Sequence, residues 1–223
     1  PEAAKIIIQV QDDVPTIDSV GALVVDEDDV LNIGSDQNDD AFVSGSFTTT
    51  EGSDGVVKYQ VDITADPVAG ITSQGEPVAL NETVNSDGSF TYAATADGKA
   101  VFELVMRVDG TYTFTLQGPL DHAVDNDSLQ IDFPIIATDF DGDTAFATLP
   151  VTIIDDKPTI TEATAIRVDE DDLATIGSDQ TGPISMDGNF TAIQGSDRVV
   201  SYQLDASATP VSYTHLTLPT NIG

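Results

Sequence analysis

Polar and apolar positions alternate with a period of two in many short runs of this chain. Examples are VVKYQV at Val56–Val61, VFEL at Val101–Leu104 and YTFTL at Tyr112–Leu116. Such alternation places successive side chains on opposite faces and is typical of half-buried β-strands. No stretch shows the 3.6-residue period of an amphipathic helix. The pattern predicts an all-β protein.

The dipeptide Asp-Gly separates these runs. Its aspartate stands at six positions, namely Asp54, Asp87, Asp97, Asp109, Asp141 and Asp187. Asp-Gly tolerates the positive φ that tight hairpin turns require, so we expect these positions to connect neighbouring strands. Short strands joined by such turns predict a β-sandwich.

An early part of the chain recurs later. Residues 15–67 align without a gap to residues 158–210, an offset of 143 residues (158 − 15 = 143), and 27 of the 53 aligned pairs are identical. Both copies contain VDEDD, IGSDQ and Gly-Ser-Asp, and both follow an Asp-Asp-X-Pro boundary. Self-similarity of this kind indicates a tandem array of one folded unit.

The offset predicts four segments. They are the end of a preceding repeat with its linker (residues 1–13), a complete repeat (14–156), a truncated next repeat (157–210) and a non-native tail (211–223). The tail lacks the acidic character of the rest and resembles translated read-through of a sequencing adapter, so we expect it to be foreign to the fold. The chain begins at Pro1 rather than Met, and we expect it to be a piece of a longer protein.

The charge and the composition exclude several classes of partner and of binding site. Seven basic residues against 39 acidic ones give a formal net charge of −32, which excludes nucleic acid as a partner because phosphate binding needs Lys and Arg. An anionic membrane surface is disfavoured for the same reason. No apolar run approaches the roughly 20 residues that span a bilayer, so no direct membrane insertion is expected. The absence of Cys rules out disulfides and thiolate metal sites.

The densest acidic turn precedes a long apolar run. Asp139, Asp141 and Asp143 surround Gly142, and the run Thr144–Ile154 follows. The turn resembles the start of an EF-hand loop, but the twelfth position holds a proline instead of the bidentate Glu. Carboxylate oxygens suit Ca²⁺, whereas Asp is also a common turn former, and both interpretations stay open.

The length of this run separates two acidic clusters. Eleven residues in a strand span about 35 Å, the height of a sandwich, so acids before and after Thr144–Ile154 must lie at opposite ends of the domain. We call these ends the N-terminal pole and the C-terminal pole. The predicted Ca²⁺ ligands are Asp12, Asp13, Asp139, Asp141 and Asp143 at the N-terminal pole, and Asp26, Glu27, Asp28, Asp155 and Asp156 at the C-terminal pole.

Signs of catalysis are weak. His122 is the one histidine before the tail, no nucleophile-elbow glycine pattern accompanies it, and we interpret it as a structural loop residue. The many acids leave a glycosidase carboxylate pair open, but the chain has no Trp to stack on sugars. We therefore predict that the protein is not an enzyme.

Several longer phrases carry a family resemblance. They are VDEDD, DGTYTFTLQGPLDH (Asp109–His122), FPIIATDFDGDTAFATLPVTIIDD (Phe133–Asp156) and the Asp-Asp-X-Pro boundary. With the 143-residue period, residues 6–210 resemble a tandem repeat of giant RTX (repeats-in-toxin) adhesins exported by type I secretion. The glycine-rich nonapeptides that give those proteins their name do not occur in this chain.

The resemblance implies an antiparallel sandwich of the Ig-like or cadherin-like kind. It further implies an extracellular or cell-surface extender module that is stiffened by Ca²⁺. The partners of such a module are neighbouring repeats of the same chain, and it supports adhesion and biofilm formation. The adhesin ligand would then bind elsewhere in the parent protein. The alternative is a module that itself binds carbohydrate or a host surface, which predicts an exposed aromatic or polar patch.

Overall fold

The computed structural model describes residues 5–205 and residue 207. The predicted non-native tail lies outside the described residues. The described strands are β1 (Thr16–Val20), β2 (Leu23–Asp26), β3 (Phe42–Thr50), β4 (Val56–Val61), β5 (Thr72–Ser73), β6 (Glu76–Pro77), β7 (Ala79–Val84), β8 (Phe90–Ala96), β9 (Lys99–Met106), β10 (Thr111–Leu116), β11 (Ser128–Asp139), β12 (Thr144–Ile154), β13 (Thr159–Ala163) and β14 (Phe190–Ile193). Short 3₁₀ helices occur at Glu27–Asp29, Ile63–Ala65 and Glu170–Asp172, and this described part contains no α-helix.

Two sheets form the body of the first repeat. One has six strands in the order β1-β3-β10-β9-β8-β7, and the other has four in the order β2-β12-β11-β4. Phe102 and Phe114 of the first sheet meet Phe133 of the second, with ring centroids 5.9 and 6.4 Å apart across the sheets. All three rings are fully buried. The prediction of an all-β sandwich is confirmed.

The Asp-Gly dipeptides of the first repeat lie between consecutive strands. Four of them close hairpins, β7–β8, β8–β9, β9–β10 and β11–β12. Asp97 and Gly98 both have positive φ, 47° and 74°, as a two-residue hairpin turn demands. The turn at Asp54 differs from expectation, because β3 and β4 belong to different sheets and the chain crosses between the sheets there.

Strand β12 has the predicted bounds, Thr144–Ile154, and pairs with β11 along its whole length. Its last four residues also pair with β2 in parallel, from Val151 opposite Leu23 to Ile154 opposite Asp26. This parallel ladder departs from the purely antiparallel expectation, and it arises because β2 and β12 both run from the N-terminal to the C-terminal pole. It places VDEDD beside the Asp-Asp pair that follows β12.

The second repeat reproduces one ladder and one 3₁₀ helix of the first, whereas its residues equivalent to β2 and β4 form no strand. The β13–β14 ladder pairs Thr159 with Ile193 and carries a bulge after Ile160, which is the register of β1–β3 displaced by 143 residues. Two aromatic residues that correspond to buried core residues of the first repeat are exposed in the second. Phe190 is 47% exposed and Tyr202 is 52% exposed. The cleft that they line with Pro158 and Ile160 is an uncovered core face.

Candidate metal centres at the two poles

The β11–β12 turn at the N-terminal pole is held closed by one of its own carboxylates. Asp139 is only 3% exposed, and its Oδ1 accepts hydrogen bonds from the backbone N–H groups of Gly142 (3.0 Å) and Asp143 (2.7 Å). Gly142 has φ +107°, a conformation that residues with a Cβ rarely adopt. Asp139 therefore serves as a turn former, and the turn presents Asp141 and Asp143 at the pole.

Five carboxylates gather around this turn. Oxygen atoms of Asp139, Asp141 and Asp143 lie within 4.8 Å of one another, and so do those of Asp12, Asp54 and Asp141. Asp12 comes from the linker and Asp54 from the β3–β4 connection, so three separate segments meet here. Asp13, which the sequence predicts at this pole, belongs to neither of these two groups, and its carbonyl lies against Gly52 instead.

The carboxylates of this N-terminal cluster repel one another. Asp141 is exposed, and its pKa is raised by its hydrogen bond with Asp139, by a small loss of hydration and by the charges of Asp12, Asp139 and Asp54. The pKa of Asp143 is raised by its hydrogen bond with Asp12 and then by burial and the same three charges. All candidate ligands are oxygen atoms, which is the donor set of Ca²⁺. The residues fit a calcium ion.

The C-terminal pole is organised around a buried glutamate. Glu27 follows β2 directly and is fully buried. Its Oε1 accepts a hydrogen bond from the Leu120 backbone N–H (2.8 Å) and lies 3.3 Å from His122 Nε2, while its Oε2 accepts one from the Ser196 hydroxyl (2.8 Å). A buried carboxylate is tolerated only when such donors compensate its lost hydration.

His122 and Asp155 complete a third metal-compatible group with Glu27, again within 4.8 Å. Burial lowers the pKa of His122, but the hydrogen bond and charge of Glu27, with the charges of Asp155 and Asp197, outweigh it and raise that pKa. His122 Nδ1 is buried and has no hydrogen-bond partner among the described residues. An imidazole suits transition metals better than Ca²⁺, so this group fits calcium less well than the N-terminal cluster.

The remaining predicted acids of the C-terminal pole form a separate set. Asp156 is 6% exposed and accepts hydrogen bonds from the backbone N–H (2.8 Å) and hydroxyl (2.6 Å) of Ser35. Asp26 caps the 3₁₀ helix by accepting from the Asp28 N–H (3.2 Å). Burial and the charges of Asp26, Asp29 and Asp156 raise the pKa of Asp28 to about 6. The structure thus brings Glu27 to Asp155 and Asp28 to Asp156.

Three residues that sequence reasoning did not assign to the poles lie in them: Asp54, His122 and Ser196. Asp54 and Ser196 both belong to the repeated Gly-Ser-Asp phrase, at equivalent turns of the two copies. That repetition was the available signal, although it did not indicate which pole each copy would contact.

In the described part of the chain no helix is long and apolar enough to cross a membrane.

Comparisons with known proteins identify one family for this chain. Neither the curated proteins nor the solved structures include a match to this sequence. Residues 22–152 match the family described as a domain of unknown function (DUF5801), and this region covers more than half of the chain and lies inside the predicted repeat. The chain therefore belongs to the DUF5801 family.

Proposed function

We propose that the chain is part of a tandem extender of a large RTX-type bacterial adhesin, stiffened by Ca²⁺ at the junctions between repeats. The observation that carries this proposal is the N-terminal cluster. There, a linker carboxylate, Asp12, meets carboxylates from two turns of the following domain, Asp54 and Asp141. A cation bound among them would tie the linker to the domain body.

Calcium would act by neutralising charges that otherwise repel. A ligand that binds only the folded arrangement stabilises it by about 2.7 kcal/mol at a concentration of 100 times its Kd. The same binding orders the linker, since Asp12 reaches the cluster only when the linker lies against the β11–β12 turn. Stiffness of the array and stability of each repeat are therefore coupled.

The resemblance and the charge support the rest of the proposal. The protein acts outside the cell or on the bacterial surface after type I secretion, contributes to adhesion and biofilm formation, and has no catalytic role. Its partners are neighbouring repeats of the same chain, and the adhesin ligand binds elsewhere in the parent protein. The net charge of −32 keeps a long exposed array soluble and disfavours nucleic acid.

Calcium titration of the chain tests this proposal. By calorimetry, Asp141→Asn should weaken Ca²⁺ binding at least tenfold, because it removes the carboxylate shared by both groups of the N-terminal cluster. Asp132→Asn is the matched control, since Asp132 is exposed in the middle of β11 and contacts Gln130 (2.8 Å). Equal Ca²⁺ affinity of the two variants, or no binding by the unmodified chain, would contradict the proposal.

A further inference from the structure

In the second repeat, the first turn after β14 lies against the C-terminal pole of the first repeat. Ser196 lies in this turn, Gly195-Ser196-Asp197, and is only 2% exposed. Its hydroxyl donates to Glu27 Oε2 at 2.8 Å, across 169 residues of sequence. The bond joins two different repeats and supplies one of the donors of a fully buried carboxylate.

The same turn exists in the first repeat as Gly52-Ser53-Asp54. Both turns are fixed to their own linker in the same way. Gly52 has φ +69° and a Cβ there would lie 2.3 Å from the Asp13 carbonyl oxygen, while Gly195 has φ +68° and a Cβ there would lie 2.1 Å from the Asp156 carbonyl oxygen. Linker and turn therefore form one closely packed unit that recurs with the repeat.

The two copies of this unit differ in what covers them. Ser53 is exposed, whereas Ser196 is buried. Because the turn and its linker contacts are alike, the difference comes from the C-terminal pole of the first repeat, which lies over the second copy. The VDEDD phrase shows the converse: Glu27 is buried beneath Ser196, while its counterpart Glu170 is exposed.

The carboxylates of this linker-and-turn unit also correspond between the two repeats. Asp54 gathers with Asp12 at the N-terminal pole of the first repeat. Their counterparts at an offset of 143 residues are Asp197 and Asp155, and the charge of Asp155 is among those that act on Asp197. The linker and turn that supply Asp12 and Asp54 in the first repeat thus recur in the second repeat beside the C-terminal pole of the first, where Ser196 contacts Glu27.

We propose that each junction is a plug and socket, in which the Gly-Ser-Asp turn of one repeat is the plug and the Glu27, Leu120 and His122 group of the preceding repeat is the socket. The occupant of the socket is therefore the next copy of this domain. Ser53 and Asp54 form the plug for a repeat on the N-terminal side. This inference rests on the proposed tandem role and adds a direct contact that needs no cation.

Paired substitutions test the plug in the 223-residue chain. In EGTA, Ser196→Ala should lower the hydrogen-exchange protection of the Leu120 amide at least tenfold, since a hydrogen bond to a charged group has an effect of that order or more. Ser196→Thr retains a hydroxyl and should restore protection. Ser53→Ala makes the same change in the exposed copy and should leave Leu120 protection within twofold.

Further controls separate the possible failures. The amide of Leu104, a buried core residue of β9, reports whether the first repeat stays folded in each variant. Equal effects of Ser196→Ala and Ser53→Ala on Leu120, or no effect of either, would overturn the plug and socket. Because these measurements are made without Ca²⁺, a missing calcium response would count against the proposed function alone.

Discussion

Removing the Glu27 carboxylate should destabilise the first repeat strongly. Glu27→Ala removes the acceptor of three buried groups. They are the Leu120 N–H, the His122 ring and the Ser196 hydroxyl. Breaking a buried, hydrogen-bonded charge pair by deleting one partner costs about 3–5 kcal/mol. For a domain of this size, such a loss lowers Tm by roughly 10 to 20 °C.

The chain contains a matched control for this substitution. Glu170 occupies the same position of VDEDD in the second repeat but is exposed, so Glu170→Ala should change stability by less than about 0.5 kcal/mol. Urea unfolding followed by circular dichroism compares the two, because the chain has no Trp for fluorescence. Similar losses in both variants would refute the reasoning that burial and its donors make Glu27 important.

Without Ca²⁺, stability should fall as pH rises from about 4 to above 7. The folded-state pKa of Asp28 and of Asp197 is raised from 3.8 to about 6, by burial first and then by neighbouring acids, so the folded state binds more protons than the unfolded state in this range. The raised pKa of His122 acts in the same direction near neutral pH, because the stabilisation from its protonated form is lost as pH passes the folded-state value. Thermal melts in EGTA should give a higher Tm at pH 5 than at pH 7.5, and the opposite order would show that these shifts do not govern stability. Saturating Ca²⁺ should raise Tm more at pH 7.5 than at pH 5, since protonated carboxylates are poor ligands, and an equal rise at both would argue against carboxylate ligation.

Local sequence patterns were sufficient to predict much of the fold. The bounds of β12 follow from an apolar run enclosed by an acidic turn and an Asp-Asp pair. Its partner β11 contains Pro134, and proline in a strand usually marks an edge or a strand end. The structure accommodates Pro134 because the ladder from β11 to β4 begins only at Ile135.

The sites were less predictable than the strands. Strand length was enough to place Asp12 with the β11–β12 turn, since that argument needs only distance along the chain. The role of Asp54 depends on a chain crossing between sheets, and alternation in sequence does not specify which sheet a strand joins. The sequence does not distinguish Glu27 from the rest of its 39 acidic residues. The burial of Glu27 depends on Leu120 and Ser196, which are remote in sequence.

Small-angle scattering on two complete copies of residues 14–156 joined in tandem tests the central claim most directly. Each repeat contains strands of about 35 Å, so a stiff pair should extend over at least about 70 Å. With Ca²⁺ we expect the maximum dimension of an elongated, end-to-end pair, and with EGTA a smaller average dimension and the signature of a flexible junction. Identical scattering in Ca²⁺ and EGTA would contradict a calcium-stiffened extender.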